Sequence, residues 1–365
     1  MKLKFKYFTI ISLFLIVLIV ITPIVSAKPR NKYLTDFIFA QQDDSIGFGE
    51  SDQETAYALE MIDYFNLYVI QGLFGSTTKV DISAFKDNLE EKLENLFDDG
   101  ESDLFKIYYL LKALDILDYP IDSDLKDEIY DYLNQTEHLE GGFRLNTILL
   151  SADMISTYFA YKIYSYLDLQ FPNVTIHKNW ILLCNNTDGG YGGNNSLSST
   201  ILTTYYAVEL INEIGDLDDL DDKIATLDYL KSFYISDSSN VNNYGGYLPD
   251  NSAENSLLSS TYFCVKGINL INPSQIQDAT IAWVLDHQNF QDGGFSDHSI
   301  SGEPELSSIT TSYYAFDILL TLNAINQLNS DIFMVEFNFI ILIVVLSCIG
   351  IFILLIFFIW RRRRI

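Results

Sequence analysis

Apolar side chains recur at helical spacing over most of the chain, in segments that polar residues separate. In Glu54 to Tyr64 and in Leu104 to Leu117 they stand three and four positions apart, which predicts a helix in each segment. The same spacing recurs in Val80 to Phe97, Leu125 to Leu133, Ala152 to Leu167, Val174 to Leu183, Ser198 to Ile214, Lys223 to Tyr234, Leu257 to Ile271, Gln275 to Gln288 and Ser307 to Leu322. The pattern therefore predicts an almost wholly helical protein.

A glycine turn followed by a polar helix start comes back about every 50 residues, a period typical of repeat architectures. The clear copies are Gly141-Gly142-Phe143 with Ser156 to Ala160, Gly189-Gly190-Tyr191 with Ser199 to Ala207, Gly245-Gly246-Tyr247 with Ser260 to Cys264, and Gly293-Gly294-Phe295 with Thr311 to Ala315. Weaker copies end at Ala58 and Leu110. The chain therefore contains six copies of one unit.

Each unit is interpreted as a pair of helices joined by the glycine turn. Two glycines permit a tight reversal and a close approach between backbones, the aromatic residue after them plugs the turn, and Ser or Thr caps the returning helix. One helix pair cannot bury both of its faces, so the pairs stack side by side. Six pairs can close into a ring. We predict an all-α (α/α)6 toroid of inner and outer helices over residues 28–332.

Both ends of the chain carry long apolar segments. Three lysines precede the first segment, and Val25-Ser26-Ala27 has the small residues of a signal peptidase site, so residues 1–27 are predicted to be a signal peptide. An uncleaved anchor is the alternative, because the apolar run reaches Ile24. Residues 339–360 are long enough to span a bilayer as one helix. Residues 333–338 would link that span to the toroid.

The charge distribution indicates where the protein lies and what it does not bind. Four arginines in the tail 361–365 favour the cytoplasmic side of a membrane. Residues 28–332 hold 15 Lys and Arg against 48 Asp and Glu, a net charge of −33. This excess of acid excludes nucleic acid as a partner, because such binding depends on basic residues that neutralise phosphate. We expect a cell-membrane protein with a single C-terminal span and an extracellular N-terminal domain.

Cysteines and glycosylation triplets fit an exported chain without a disulfide framework. Cys184 and Cys264 are expected to be buried free thiols, with a disulfide between them as the less favoured alternative. Four asparagines stand in Asn-x-Ser/Thr triplets, which suits a glycoprotein. They are Asn134, Asn173, Asn185 and Asn194.

The glycine turns and the Ser/Thr-Tyr-aromatic-Ala helix starts resemble the prenyltransferase and squalene oxidase (terpene cyclase) repeat. This resemblance implies the (α/α)6 toroid of protein prenyltransferase β subunits, class II terpene cyclases and the complement thioester domain. Gln291 to Phe295 is similar to the Gln-x-Gly-x-Trp motif of the cyclases, with Phe295 in place of Trp. The resemblance covers nearly everything between the two apolar ends.

The chemical motifs of that family are not matched at the corresponding positions. The Asp-x-Cys and His that hold zinc in protein prenyltransferases would fall near Leu257 to Thr261 and Thr310 to Ser312, and these stretches contain no Asp, Cys or His. We therefore predict no zinc and no other cofactor. Asp216 to Asp219 has the letters of the cyclases' Asp-x-Asp-Asp motif but follows an inner helix instead of starting one. We interpret it as a solvated turn that caps the next helix.

The four histidines do not predict an active site. No nucleophile motif in the sequence predicts one either. None of His138, His177, His287 and His298 stands at metal-ligand spacing from another, and surface positions are expected for them, although His298 could reach a mouth of the ring.

If the inner helices face a cavity, its upper wall is predicted to contain Ser156, Thr157, Tyr158, Thr204, Tyr205, Thr261, Tyr262, Ser312 and Tyr313. The alternative is that these residues pack helix against helix.

Three functions remain open from the sequence. A non-catalytic binding or interaction domain is favoured by the retained fold and the unmatched motifs, and its ligand would be a lipid, a glycan or a peptide. An isoprenoid enzyme, either prenyltransferase or terpenoid cyclase-like, acting on a lipid from the bilayer is the first alternative. A carbohydrate-active enzyme is the second, and it would need two carboxylates about 5–10 Å apart in the cavity.

Overall fold

The computed structural model describes residues 24–43, 47–72, 75–297 and 306–336, together with Ser347. The chain divides into two compact units, residues 31–328 on the one hand and residues 1–30 with 329–365 on the other. Most of the predicted signal peptide, nearly all of the predicted span at 339–360 and His298 lie outside the described residues. Among the residues that are described, no helix is both long enough and apolar enough to cross a membrane.

Twelve α-helices occur in the described part of the chain and alternate between an outer and an inner position. The outer helices are α1 (Arg30–Ala40), α3 (Ile82–Asp98), α5 (Ser123–Thr136), α7 (Val174–Leu183), α9 (Lys223–Lys231) and α11 (Ala279–Asp286). The inner helices are α2 (Asp52–Tyr64), α4 (Leu104–Ile116), α6 (Met154–Tyr166), α8 (Ile201–Ile214), α10 (Leu258–Ile271) and α12 (Ile309–Thr321). Short 3-10 helices cover Leu217–Asp219, Pro273–Gln275 and Ile325–Asn329.

The inner helices form a closed ring. Each packs on the next in chain order, and α12 packs on α2. At this closing contact the rings of Tyr57 and Tyr313 stack with their centroids 3.8 Å apart. The predicted toroid of six helix pairs is confirmed. Most residues of an inner helix are buried because outer helices cover one side and neighbouring inner helices the others.

Carboxylate and hydroxyl side chains start the inner helices. Asp103, Asp153 and Thr200 accept backbone N–H bonds at the starts of α4, α6 and α8. Such caps satisfy donors that have no partner inside the helix. Aspartate therefore shares the capping role that the sequence pattern assigned to Ser and Thr.

One recurrent hydrogen bond fixes each glycine turn to its own inner helix. The N–H of Tyr191, the aromatic residue of the fourth turn, donates to Thr204 Oγ1 at 2.9 Å. The N–H groups of Phe48, Phe143, Tyr247 and Phe295 donate in the same way to Thr55, Thr157, Thr261 and Ser312. These aromatic side chains are fully buried, so each plugs its turn as predicted.

The strands are short and lie at the edges of the helical repeats or outside them. β2 (Gln42–Asp43) pairs with β3 (Gly47–Phe48), and β4 (Val69–Gly72) pairs with β5 (Gly75–Thr78). In the smaller unit, β1 (Ile24–Pro29) runs antiparallel to β6 (Asp331–Glu336). Ala27, the predicted cleavage position, lies within β1 opposite Phe333. Cleavage there would remove four of the six residues of the strand.

Two histidines are buried, in contrast to the surface positions expected for them. His177 on α7 has no exposed surface, and His287 is 4% exposed. His177 Nδ1 accepts the N–H of Gly142 at 2.9 Å, so Nδ1 carries no proton and Nε2 is left to donate to Glu137 Oε1 at 3.1 Å. The histidine is therefore a structural part of the third glycine turn.

We expect His177 to make the toroid less stable in acid. Burial lowers the pKa of His177 from 6.5, although the Glu137 carboxylate opposes this shift. Because the unfolded chain then takes up the proton first, the stability from neutral His177 is complete above pH 6.5 and is lost as the pH falls through the lower, folded-state pKa. In His177→Gln, whose amide can still accept the Gly142 N–H, the free energy of unfolding should vary less over this range. The partly exposed His138→Gln is the control, and an equal change in both variants would contradict this role.

Candidate functional site

The six inner helices carry the same kinds of residue at corresponding positions along their length. We describe each position by its distance in sequence from one buried reference residue on the same helix. The six reference residues are Ala58, Leu110, Ala160, Ala207, Cys264 and Ala315. The positions one and two residues before the reference residue and two residues after it face the lumen together, since residues three and four apart share one face of a helix.

An aromatic residue precedes every reference residue, and the six form a closed hexagon that we call the aromatic floor. Its members are Tyr57, Tyr109, Phe159, Tyr206, Phe263 and Tyr314. Successive ring centroids around the hexagon are 5.6–6.3 Å apart, and the planes are steeply inclined to one another. Such edge-to-face contacts are favourable beyond the area they bury. The floor therefore closes the lumen towards the glycine turns.

A charged residue stands two positions after every reference residue, and the six form what we call the charged ring. Its members are Glu60, Lys112, Lys162, Glu209, Lys266 and Asp317. Each lies one helical turn beyond the aromatic floor. A full circle of charges inside a toroid is costly unless the charges are paired.

The charged ring consists of three ion pairs, each joining two neighbouring inner helices. Lys112 Nζ lies 2.7 Å from Glu60 Oε2, and Lys266 Nζ lies 3.0 Å from Asp317 Oδ2. In the third pair, Lys162 Nζ lies 3.1 Å from Glu209 Oε1. The ring has no net charge because three lysines face three carboxylates.

The lysines also hold the charged ring against the tyrosines. Lys112 Nζ lies 4.9 Å from the ring centroids of both Tyr57 and Tyr313. Lys162 lies 5.3 Å from the centroid of Tyr158. These distances are those of cation–π contacts. The contacts fix the ammonium groups over aromatic faces, so the charges are ordered before any ligand arrives.

The charged ring and four members of the aromatic floor line a cavity of about 450 Å³, the four being Tyr57, Tyr109, Tyr206 and Phe263. It extends to Asp115, Ile116, Ser165 and Tyr166 at the C-terminal ends of α4 and α6, where Ser165 is exposed. The mouth of the cavity is therefore at the face opposite the glycine turns. Its volume lies within the range of about 300–1,000 Å³ that is usual for small-ligand sites.

The structure separates the nine predicted lining residues into two groups. Tyr158, Tyr205, Tyr262 and Tyr313 line the cavity. The five hydroxyl residues lie instead between the inner helix and its glycine turn. Thr157, Thr204, Thr261 and Ser312 accept turn N–H groups, and Ser156 donates to Asp153 Oδ2 at 2.5 Å. Their side chains point away from the lumen because turns need buried acceptors for their N–H groups.

Burial determines the protonation of the groups in the cavity. It raises the pKa of Tyr158, Tyr205, Tyr262 and Tyr313 well above the ordinary value of 10.0. These tyrosines remain neutral hydroxyl donors, and Tyr158 donates to Glu209 Oε1 at 3.3 Å. At the mouth, burial raises the pKa of Asp115, and the nearby carboxylates of Asp118 and Asp168 raise it further.

The residues that raised the question of metal or acid chemistry lie away from the cavity. Cys264 is a buried reference residue, and Cys184 is buried at the C-terminal end of α7, both as free thiols. Asp216 and Asp219 form a capping box on the 3-10 helix Leu217–Asp219, and a hydrogen bond from Lys178 lowers the pKa of Asp219. Among the described residues, no three His, Cys, Asp or Glu side chains are grouped so that they could hold a metal ion.

The charged ring was not predicted, although the sequence carried a signal for it. In all six units a charged residue stands at one fixed distance after the reference residue, within the apolar part of the helix. A lone charge in a helix normally indicates a solvated face. Only the comparison of all six copies would have distinguished an internal ring from six unrelated surface charges.

Comparisons with known proteins agree with this architecture. The family model of the prenyltransferase alpha-alpha toroid domain matches residues 76–179, 167–250 and 245–337. Among solved structures, protein geranylgeranyltransferase-I of Candida albicans complexed with GGPP aligns with a TM-score of 0.53 at 17% identity, covering 81% of this chain and 84% of that one. A protein from Actinoplanes also gives 0.53, at 13% identity over 82% and 98% of the two chains.

A type II terpene cyclase from Scytonema aligns less closely, with a TM-score of 0.48 at 12% identity over 82% of this chain and 96% of the cyclase. No curated protein matches the chain in sequence. At these identities the two matches with a TM-score of 0.53 show a shared fold.

Proposed function

Because the chain belongs to the prenyltransferase alpha-alpha toroid domain family, we propose that it is a binding domain whose ligand occupies the cavity between the aromatic floor and the mouth. It is held at the cell membrane by its C-terminal apolar segment, with the toroid outside the cytoplasm and the basic tail inside. It uses no zinc and carries out no transfer of prenyl groups.

The pairing of the charged ring is the observation that supports this proposal. A prenyl diphosphate carries several negative charges and needs unpaired cations to hold them. Each lysine that lines the cavity already lies within 3.1 Å of a carboxylate. A diphosphate would have to displace those carboxylates and leave them buried without a partner, which is strongly unfavourable.

An isoprenoid enzyme is the alternative function. The aromatic floor favours it, since aromatic side chains suit a prenyl chain, and the geranylgeranyltransferase-I of Candida albicans that shares the fold was solved with GGPP. Under this alternative the charged ring would open to accept the diphosphate. The alternative therefore predicts turnover that the binding function does not.

Full-length protein purified in detergent micelles tests the two functions. It is incubated with geranylgeranyl diphosphate and either Mg²⁺ or Zn²⁺, with water or an added thiol as the acceptor of the prenyl group, and the release of diphosphate and the cyclisation of the prenyl chain are both measured. Small molecules that stay bound through purification are detected by native mass spectrometry. We expect no release above a protein-free blank, together with a bound small molecule.

Ser165→Trp and Ser198→Trp are the matched variants for this experiment. The first places an indole at the mouth of the cavity, and the second places one at an exposed loop position away from it. The bound molecule should be lost from the first variant and retained by the second. Diphosphate release that Ser165→Trp abolishes would establish the enzyme instead, and equal occupancy of both variants would place the ligand outside the cavity.

A further inference from the structure

Taking the proposed binding function as its basis, we propose that the ligand is a neutral saccharide, either free or at the end of a glycan. The charged ring carries the argument, because its three ion pairs place three donors and three acceptors around one circle without net charge. A sugar has hydroxyl groups that both donate and accept, so it can add to an intact ion pair without separating the two charges.

Glu209 provides the most specific feature of this site. Its Oε1 lies 3.1 Å from Lys162 Nζ in the ion pair and accepts the Tyr158 hydroxyl at 3.3 Å. Its Oε2 is buried and accepts no hydrogen bond from the described residues. A buried carboxylate oxygen without a donor is unfavourable, and a ligand hydroxyl would satisfy it. This oxygen therefore offers an acceptor to a hydroxyl donor on the ligand, which a hydrocarbon chain does not have.

The tyrosines beside the charged ring complete the complementarity. Tyr205, Tyr262 and Tyr313 line the cavity next to it, and burial keeps their hydroxyls protonated. Aromatic side chains bury the C–H faces of a sugar ring while their hydroxyls bond its polar edge. A lipid chain would fit the aromatic floor but would remove water from three ion pairs and leave nothing in its place.

The charge of the domain disfavours the other candidate ligands. Residues 28–332 carry a net charge of −33, and Asp115 adds a carboxylate at the mouth, so an anionic ligand meets repulsion as it approaches. A short peptide carries an ammonium group and a carboxylate, and these would compete with the lysines and carboxylates of the charged ring for their ion-pair partners. A neutral polyol has neither disadvantage.

The test is equilibrium binding to the full-length protein in detergent micelles, measured by calorimetry. The probes are neutral oligosaccharides of one to three sugars, a glycopeptide that ends in the same sugars, geranylgeraniol and a dipeptide. We expect measurable binding of at least one oligosaccharide and none of geranylgeraniol or the dipeptide. Stronger binding of the glycopeptide than of the free sugar would identify a glycan end as the source.

The double variant Lys162→Met with Glu209→Leu removes one ion pair as a unit, so the fold should be retained, and we expect oligosaccharide affinity at least tenfold weaker. The double variant Lys223→Met with Asp218→Leu removes an exposed ion pair of similar length and should bind as the wild type does. Thermal unfolding checks that each variant is folded. If the Lys162 and Glu209 variant does not fold, Ser165→Trp replaces it and should abolish binding.

The results separate this inference from the function on which it rests. If geranylgeraniol or the dipeptide binds in a way that Ser165→Trp blocks while no sugar binds, that result overturns the saccharide proposal and still supports the proposed binding function. Sugar binding that both double variants retain in full overturns the role of the charged ring. Release of diphosphate from a prenyl substrate overturns the proposed function itself.

Discussion

Replacing Gly189 with alanine should lower the free energy of unfolding by about 3–5 kcal/mol, the largest single effect that we expect. Gly189 is the first glycine of the fourth turn and has φ +85, a conformation that disfavours a side chain. A Cβ atom there would lie 2.5 Å from the carbonyl carbon and oxygen of Ala225 on α9. Because the obstacle is backbone, it can move only if the whole outer helix of the next unit moves.

Gly100→Ala is the matched control for this prediction. Gly100 also has a positive φ, +68, but a Cβ atom there would meet nothing within 4 Å. The control carries the conformational cost alone, about 1–2 kcal/mol. The difference between the two variants in urea unfolding therefore measures the contact between neighbouring repeats. Equal losses would show that the glycine turns do not hold the repeats together.

The same contact recurs around the ring, which makes it a property of the architecture. A Cβ on Gly245 would lie 2.6 Å from the carbonyl oxygen of Ala279, and one on Gly293 would lie 2.4 Å from that of Tyr33. Tyr33 belongs to the first outer helix, so the sixth turn closes the outer layer as Tyr57 and Tyr313 close the inner one. We expect alanine at any of these glycines to loosen the whole ring.

Replacing Lys266 with methionine should cost about 2–4 kcal/mol of stability, the second largest effect. The variant leaves the Asp317 side chain, which is 11% exposed, without the ammonium group 3.0 Å away. A carboxylate in this position has little water to replace its partner. Thermal and urea unfolding of the full-length protein would measure the loss.

Two further variants show whether an uncompensated charge is the cause. Adding Asp317→Leu to Lys266→Met removes both charges and should restore most of the stability, since apolar residues of similar size often replace a buried ion pair without loss. Lys223→Met leaves Asp218, which is 83% exposed, without a partner and should cost less than about 1 kcal/mol. A double variant as unstable as Lys266→Met would mean that the packing of the lysine stem, and not its charge, is what matters.

The amino-acid sequence by itself determined the repeat, the number of units and the closed helical ring. Aromatic plugs and capping residues act within one unit, so their spacing in the chain is enough to predict each helix pair. The closing of the ring followed from the need of every pair for a neighbour on both sides. The free thiols of Cys184 and Cys264 and the cap that the acidic turn supplies to α9, made by Asp222, were predicted for the same local reasons.

Only the tertiary structure decided which residues line the cavity. An inner helix is almost wholly buried, so apolar residues occur on all its faces. The sequence pattern therefore does not distinguish the face that lines the lumen from the face that contacts the glycine turn. Thr204 and Tyr205 are adjacent in the chain, yet the first is bonded to the glycine turn and the second lines the cavity. The charged ring depends on pairs such as Glu60 and Lys112, about one repeat apart in sequence, which meet because the inner helices pack side by side.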